Sequence, residues 1–121
     1  MFSTIATWYL KPESQSEGIA ALRQLAIDVE ANEPDTWGYL IHSGAAGSAP
    51  PCSDDTIVFV EIYRDEQAFI GHVHGPVFTK FMKDHGDLFQ AGPGGDSPFV
   101  QVQNVDRIQG FLRPEAGSGK G

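Results

Sequence analysis

Residues 61–82, EIYRDEQAFIGHVHGPVFTKFM, decide the fold, because strand chemistry gives way to helix chemistry within them. The run that leads in, residues 57–62 (IVFVEI), is β-branched and aromatic almost throughout, as suits a strand covered on both faces. Asp65 then offers a side-chain oxygen to the free amides of a helix carrying Ala68, Phe69 and His72. That helix is short. Gly71 and the Gly75-Pro76 pair interrupt the helical pattern, and Val77, Phe78, Phe81 and Met82 restart it at the spacing of one apolar face.

Toward the N-terminus, residues 2–10 alternate, with Phe2, Thr4, Ala6, Trp8 and Leu10 on one face and Ile5, Thr7 and Tyr9 on the other. This gives a first strand, which Pro12 ends. Ser14-Gln15-Ser16-Glu17 matches a capping box, in which the serine hydroxyl and the glutamate each satisfy a free amide. Ile19, Leu22, Leu25, Ala26 and Val29 follow at helical spacing, and the helix stops near Asn32, before Pro34. Residues 36–42 (TWGYLIH) form a second strand, with Trp37, Tyr39 and Ile41 on one face and Gly38, Leu40 and His42 on the other. Residues 43–55, rich in Gly, Ala, Ser and Pro, are expected to be a mobile hairpin connection that partly shields a pocket mouth.

Beyond the second helical region, residues 84–97 carry a last apolar turn at Leu88-Phe89 and then become glycine-rich. Residues 99–108 (FVQVQNVDRI) alternate as a fourth strand, and residues 114–121 (PEAGSGKG) are expected to be a flexible tail after a domain spanning 1–113.

A chain of 121 residues, 40% of them apolar, is the size of one domain that buries roughly two-thirds of its unfolded surface. Lys and Arg number 8 against 16 Asp and Glu, and the net charge of -8 repels nucleic-acid phosphates and anionic lipid. No nucleic-acid partner is expected. No apolar run reaches the roughly 18 residues of a membrane span, and the start MFSTIATWYLKPE shows no positive leader before an apolar segment. A cytoplasmic protein without membrane association is expected. The single Cys52 can neither close an internal disulfide nor complete a thiolate metal site.

The order strand, helix, strand, strand, helix, strand is the split βαβ arrangement of a ferredoxin-like α+β fold with an antiparallel sheet. Both helices would lie on one sheet face. The other face would carry apolar side chains with no layer of the chain left to cover them, which predicts a homodimer packed sheet to sheet.

Residues 61–72, Glu61-Ile62-Tyr63-Arg64-Asp65-Glu66-Gln67-Ala68-Phe69-Ile70-Gly71-His72, resemble the E-x-Y/W-x-D-x-x-A-F/L-x-x-H signature of the antibiotic biosynthesis monooxygenase family, a branch of the dimeric α/β-barrel proteins. Gly75 to Phe78 is similar to that family's entry into the second half of its second helix, and Pro34 to Tyr39 to its helix-to-strand turn. The resemblance implies a dimeric α/β barrel and a cavity between helices and sheet within each subunit. Proteins similar to this family include cofactor-free oxygenases of anthrones and quinols, haem-degrading enzymes and isomerases, so function has to be argued from the site. Haem-degrading relatives place an Asn on the first strand, a Trp early in the second helix and a proximal His further on. Here residues 1–10 hold no Asn, His72 stands in the Trp position and Met82 in the proximal one, with His85 a turn beyond.

The candidate site residues follow. His72 ends the signature, and an imidazole can take a proton near neutral pH, so it is the expected catalytic base, although a structural histidine is as natural a reading. His74 does not make the i, i+4 spacing of a metal pair with it, and no metal is expected. Glu61 is read first as a structural partner of Arg64 and only then as a pocket acid. Trp37, Tyr39, Phe59, Tyr63 and Phe78 are the expected substrate-binding aromatics, drawn from a set, with Trp8, that must also supply the core. Glycine-rich nucleotide loops and a nucleophile elbow are absent, and no cofactor is expected. The expected function is a cofactor-independent monooxygenase acting with O2 on a small aromatic, anthrone- or quinol-like. The alternative is a dimeric small-molecule-binding or stress-response module of the same fold without catalysis.

Overall fold

The computed structural model describes residues 1–90 and 100–114. Strands β1 (Phe2–Leu10), β2 (Thr36–Ser43) and β3 (Thr56–Tyr63) form an antiparallel sheet in the order β2-β3-β1. The far edge of β1 is shared. β4 (Phe89–Gln90) pairs with Tyr9 and Leu10, and β5 (Val100–Val105) pairs with residues 3–8. Helices α1 (Gln15–Asn32), α2 (Glu66–His74) and α3 (Pro76–His85) cover one face. The result is the ferredoxin-like α+β fold, with its second helix in two segments and its fourth strand in two pieces. The glycine-rich stretch, Phe99 and the tail beyond Pro114 lie outside the described residues.

Register explains the layering. Trp8 pairs with Ile57, Ala6 with Phe59 and Thr4 with Glu61, and side chains paired across two strands point to the same face. All six are buried beneath the helices. The alternate residues of β3, Val58, Val60 and Ile62, are only half-buried. The continuous apolar run of β3 therefore does not mean that this chain covers both faces.

Local chemistry sets the helix ends. The Asp65 carboxylate accepts the Ala68 N–H at 2.9 Å, which starts α2. Gly71 stays inside α2, and the break falls at Gly75, whose N–H reaches the His72 carbonyl at 3.2 Å before Pro76 opens α3. The capping box at Ser14 does not form. A 3-10 turn over Pro12–Ser14 runs straight into α1, leaving Ser14 at φ -108°, ψ 13° and not in the extended backbone from which a serine caps, and its hydroxyl makes no cap bond. At the other end, the Glu33 N–H closes α1 on the Val29 carbonyl at 2.9 Å, and Pro34 prevents continuation.

Two further features differ from expectation. β2 is bulged: Thr36 pairs with Tyr63 and Gly38 with Ile62, which leaves Trp37 as the extra residue. Arg64 pairs with Asp35 at 3.1 Å and Asp65 at 3.2 Å, both exposed, and not with Glu61. Glu61 sits on the buried face, whereas Arg64 lies beyond the strand end in solvent.

Candidate active site

A half-open cavity of about 200 Å³ lies between the helices and the sheet. Its floor is Thr4, Ala6 and Trp8 from β1, Tyr39 from β2, Glu61 from β3 and Val102 from β5. Phe69, His72 and Val73 from α2 and Phe78 from α3 form the roof. The Asp65 cap fixes where α2 begins, and one turn after Ala68 the helix turns His72 toward the sheet.

His72 is 4% exposed and walled by aromatic rings: Tyr39 at 5.2 Å between centroids, Phe78 at 5.3 Å and Tyr63 at 5.8 Å. Its two nitrogens face different partners. Nδ1 lies 2.7 Å from Glu33 Oε1, and Nε2 lies 3.4 Å from the Tyr39 hydroxyl. The Thr36 hydroxyl also donates to Glu33 Oε1, at 3.0 Å, and so steadies the carboxylate.

The phenols are held as neutral donors. Burial, reinforced by the charges of Glu61 and Glu33, pushes the Tyr39 hydroxyl well above its ordinary range. Tyr63 is raised for the same first reason, and its hydroxyl donates to Glu61 in a short hydrogen bond. Burial also raises the Glu61 carboxyl, opposed by that bond and by His72. An apolar chamber thus holds an imidazole, a carboxyl shifted toward its neutral form and a neutral phenol. One more polar group is unmatched: the buried Trp8 Nε1 has no hydrogen-bond partner among the described residues.

Of the residues expected from sequence, His72, Tyr39 and Phe78 line the cavity, and Trp37, Phe59 and Tyr63 do not. The bulge leaves Trp37 55% exposed over a separate hollow beside the end of α1. Phe59 is sealed in the core between Trp8 and Tyr39. Tyr63 stands one row along, outside the lining, and touches it through Glu61 and the rings of His72 and Phe69. The 44–55 connection contributes nothing to the lining; it packs at the other end, where Asp55 accepts the Leu10 N–H and Asp54 the Gln15 amide. His85 packs its ring at a tilt against Phe81 beside a groove between α1 and α3, away from the cavity. Among the described residues, no three His, Cys, Asp or Glu side chains gather closely enough to share a metal ion.

Glu33 was not expected. It sits 39 positions from His72, and nothing in its local sequence marks it apart from any acidic residue ending a helix. Val102 is likewise placed in the lining only by strand pairing.

The fold recurs in solved structures. A candidate antibiotic biosynthesis monooxygenase from Deinococcus radiodurans superposes with a TM-score of 0.71 at 12% identity, covering 95% of this chain and 100% of that one. A protein of the same description from Caulobacter crescentus CB15 gives 0.71 at 18% identity over 89% and 90% of the two chains. One from Nitrosomonas europaea gives 0.70 at 14% identity over 90% and 100%. No curated protein sequence matches. The sequence model of the antibiotic biosynthesis monooxygenase family matches residues 1–84, which contain every cavity residue except Val102, and the chain belongs to that family.

Proposed function

We propose that this protein is a cofactor-independent monooxygenase that oxidises a small quinol- or anthrone-like aromatic with O2. The observation that carries the reading is the meeting of His72 Nε2 and the Tyr39 hydroxyl in an apolar, aromatic chamber. His72 takes a phenolic or benzylic proton, and the resulting carbanion or phenolate passes one electron to O2. Substrate radical and superoxide recombine to a peroxide anion, which takes the proton held by His72 and becomes a hydroperoxide. Loss of the second C–H proton to the freed base then cleaves the O–O bond and leaves a carbonyl and hydroxide. A CH2 group and O2 thus give C=O and H2O, with the hydroxide taking up the second proton. Tyr39, kept neutral by burial, donates to the developing oxygen anion. A substrate oxygen reaching Trp8 Nε1 would satisfy that unmatched donor.

Size refines the substrate. A chamber of about 200 Å³ falls below the roughly 300–1,000 Å³ of sites for drug-sized ligands, which favours one or two fused rings over three. The functional unit is a cytoplasmic homodimer closed through the uncovered sheet face. The competing reading, a dimeric small-molecule-binding or stress-response module without catalysis, keeps the chamber but not the chemistry, with His72 in a structural role. Oxygen uptake with a panel of mono- and bicyclic quinols, without added metal or flavin, separates the two. We expect uptake by the wild type and a hundred- to ten-thousand-fold slower rate in His72→Ala, roughly the range of general-base assistance. A folded His72→Ala protein with undiminished turnover would refute the base, and quinol binding without uptake in the wild type would favour the module.

A further inference from the structure

We propose that Glu33 is a positioning residue that fixes the tautomer of His72 from the solvent side, and that the hollow beside it admits a small carboxylate in its place. This deepens the monooxygenase reading and rests on it. His72 forms the partition between two spaces. On one side is the chamber; on the other is an outer hollow of about 160 Å³ lined by Glu33, Pro34, Asp35, Thr36, Ala68 and Gly71 as well as His72 itself.

The exposures differ across the pair, with 3% of the His72 side chain and 16% of the Glu33 side chain reaching solvent. A carboxylate only accepts, so the 2.7 Å contact makes Nδ1 the donor and leaves the Nε2 lone pair facing the chamber and the Tyr39 hydroxyl. That is the tautomer a base at Nε2 requires. When Nε2 takes the substrate proton, the carboxylate already at Nδ1 stabilises the imidazolium until the proton is returned.

The arrangement is built on both sides. Thr36 Oγ1 donates to the same Glu33 oxygen at 3.0 Å, and Glu33 terminates α1, where the helix dipole adds negative potential next to the ring. Asp35, the other acid of the outer hollow, is engaged by Arg64 at 3.1 Å, which leaves Glu33 as the carboxylate that meets His72. Among the described residues, no lysine or arginine lines the hollow, and Arg64 meets its rim at Asp35.

The test starts without substrate. Nitrogen-15 spectra of the His72 ring should show the Nδ1–H tautomer in the wild type and a shift toward Nε2–H in Glu33→Gln, whose amide can donate to Nδ1. With a turned-over quinol, Glu33→Gln should lower kcat by roughly a hundred- to ten-thousand-fold, with KM changed by no more than about twofold. In Glu33→Ala, added formate should restore turnover in a saturable manner, and it should do nothing for His72→Ala. If Glu33→Gln fails to fold, Glu33→Asp, which keeps the carboxylate, should retain the Nδ1–H spectrum. A Glu33→Gln protein that keeps both the Nδ1–H tautomer and full kcat overturns the inference, as does Glu33→Ala activity that is low and indifferent to formate. A wild type that oxidises no quinol but whose His72 tautomer follows Glu33 would defeat the oxygenase reading and uphold the pairing.

Discussion

Glu61 shows how one buried side chain couples the chemistry of the chamber to the stability of the fold. It is 6% exposed, it accepts from the Tyr63 hydroxyl, and burial raises its folded-state pKa above that of the unfolded chain. The native state therefore binds the Glu61 proton more tightly than the unfolded state does. Below the unfolded pKa of about 4.3 both states are protonated and the residue is neutral in the balance. As pH rises through the interval up to the folded pKa, ionisation costs native stability, and above it the cost is complete. Glu61→Gln keeps the size and the acceptor for Tyr63 without the charge. It should match the wild type in melting temperature near pH 4 and exceed it at pH 8, in melts followed by circular dichroism. A gap that stays constant between the two pH values would show that the carboxyl ionises freely in the fold. Asp65 has the opposite sign. Its cap bond to the Ala68 N–H lowers its pKa, so its contribution is present above the unfolded value and fades as pH falls through the folded one.

The break between α2 and α3 is the element on which the roof of the chamber depends, and two glycines, Gly71 inside α2 and Gly75 at the break, should respond oppositely to the same substitution. A Cβ on Gly71 would meet nothing within 4 Å, so Gly71→Ala gains helix propensity alone and should stabilise by about 0.5–1 kcal/mol. A Cβ on Gly75 would lie 2.5 Å from the Gly71 carbonyl oxygen, which forces the turn itself to move. Gly75→Ala should destabilise by about 1–3 kcal/mol and slacken the roof carried by His72 and Phe78. Urea unfolding of the two variants decides the signs, and stabilisation by Gly75→Ala would mean that the turn relaxes freely. The Gly75-Pro76 break was legible in the sequence because both residues act through local backbone chemistry. So was the alternation of β1, whose period alone assigns Thr4, Ala6, Trp8 and Leu10 to the buried face. The position of Trp37 was not, since a bulge is set by pairing with β3 and not by the strand's own residues. β4 is two residues long and exists only where Phe89 and Gln90 meet Tyr9 and Leu10, and Glu33 meets His72 only after both helices have docked. The cavity lining was thus readable as far as His72, Tyr39 and Phe78, and the contacts made across the chain were beyond local pattern.

At the scale of the whole molecule, the face of the sheet away from the helices carries a row of apolar side chains running across three strands. Leu40 on β2 pairs with Val60 on β3, which pairs with Ile5 on β1. Leu40 is 54% exposed and Ile5 36%, and Val58, Ile62 and the edge residue Val105 extend the patch. β-branched residues at alternate positions of a central strand are costly to leave in water, and the helices already occupy the other face. A second copy related by a two-fold axis would present the same row and be self-complementary, and we propose that it closes the sheet face over an interface on the order of 2,000 Å². The substitution Leu40→Asp puts a charge on this row at a position that supports no buried contact within the chain, so folding should survive it. A dimerising face would then have to bury two unpaired carboxylates, at a cost of several kcal/mol each. Light scattering at micromolar concentration should fall from twice the chain mass of 13.1 kDa in the wild type to the chain mass in Leu40→Asp. Ile27→Asp is the control, because Ile27 is 58% exposed on α1, on the opposite side of the molecule, and should leave the dimer intact. A wild type of single-chain mass, or a Leu40→Asp protein that remains dimeric, would place the partner surface elsewhere. In that case the exposed row would need another cover.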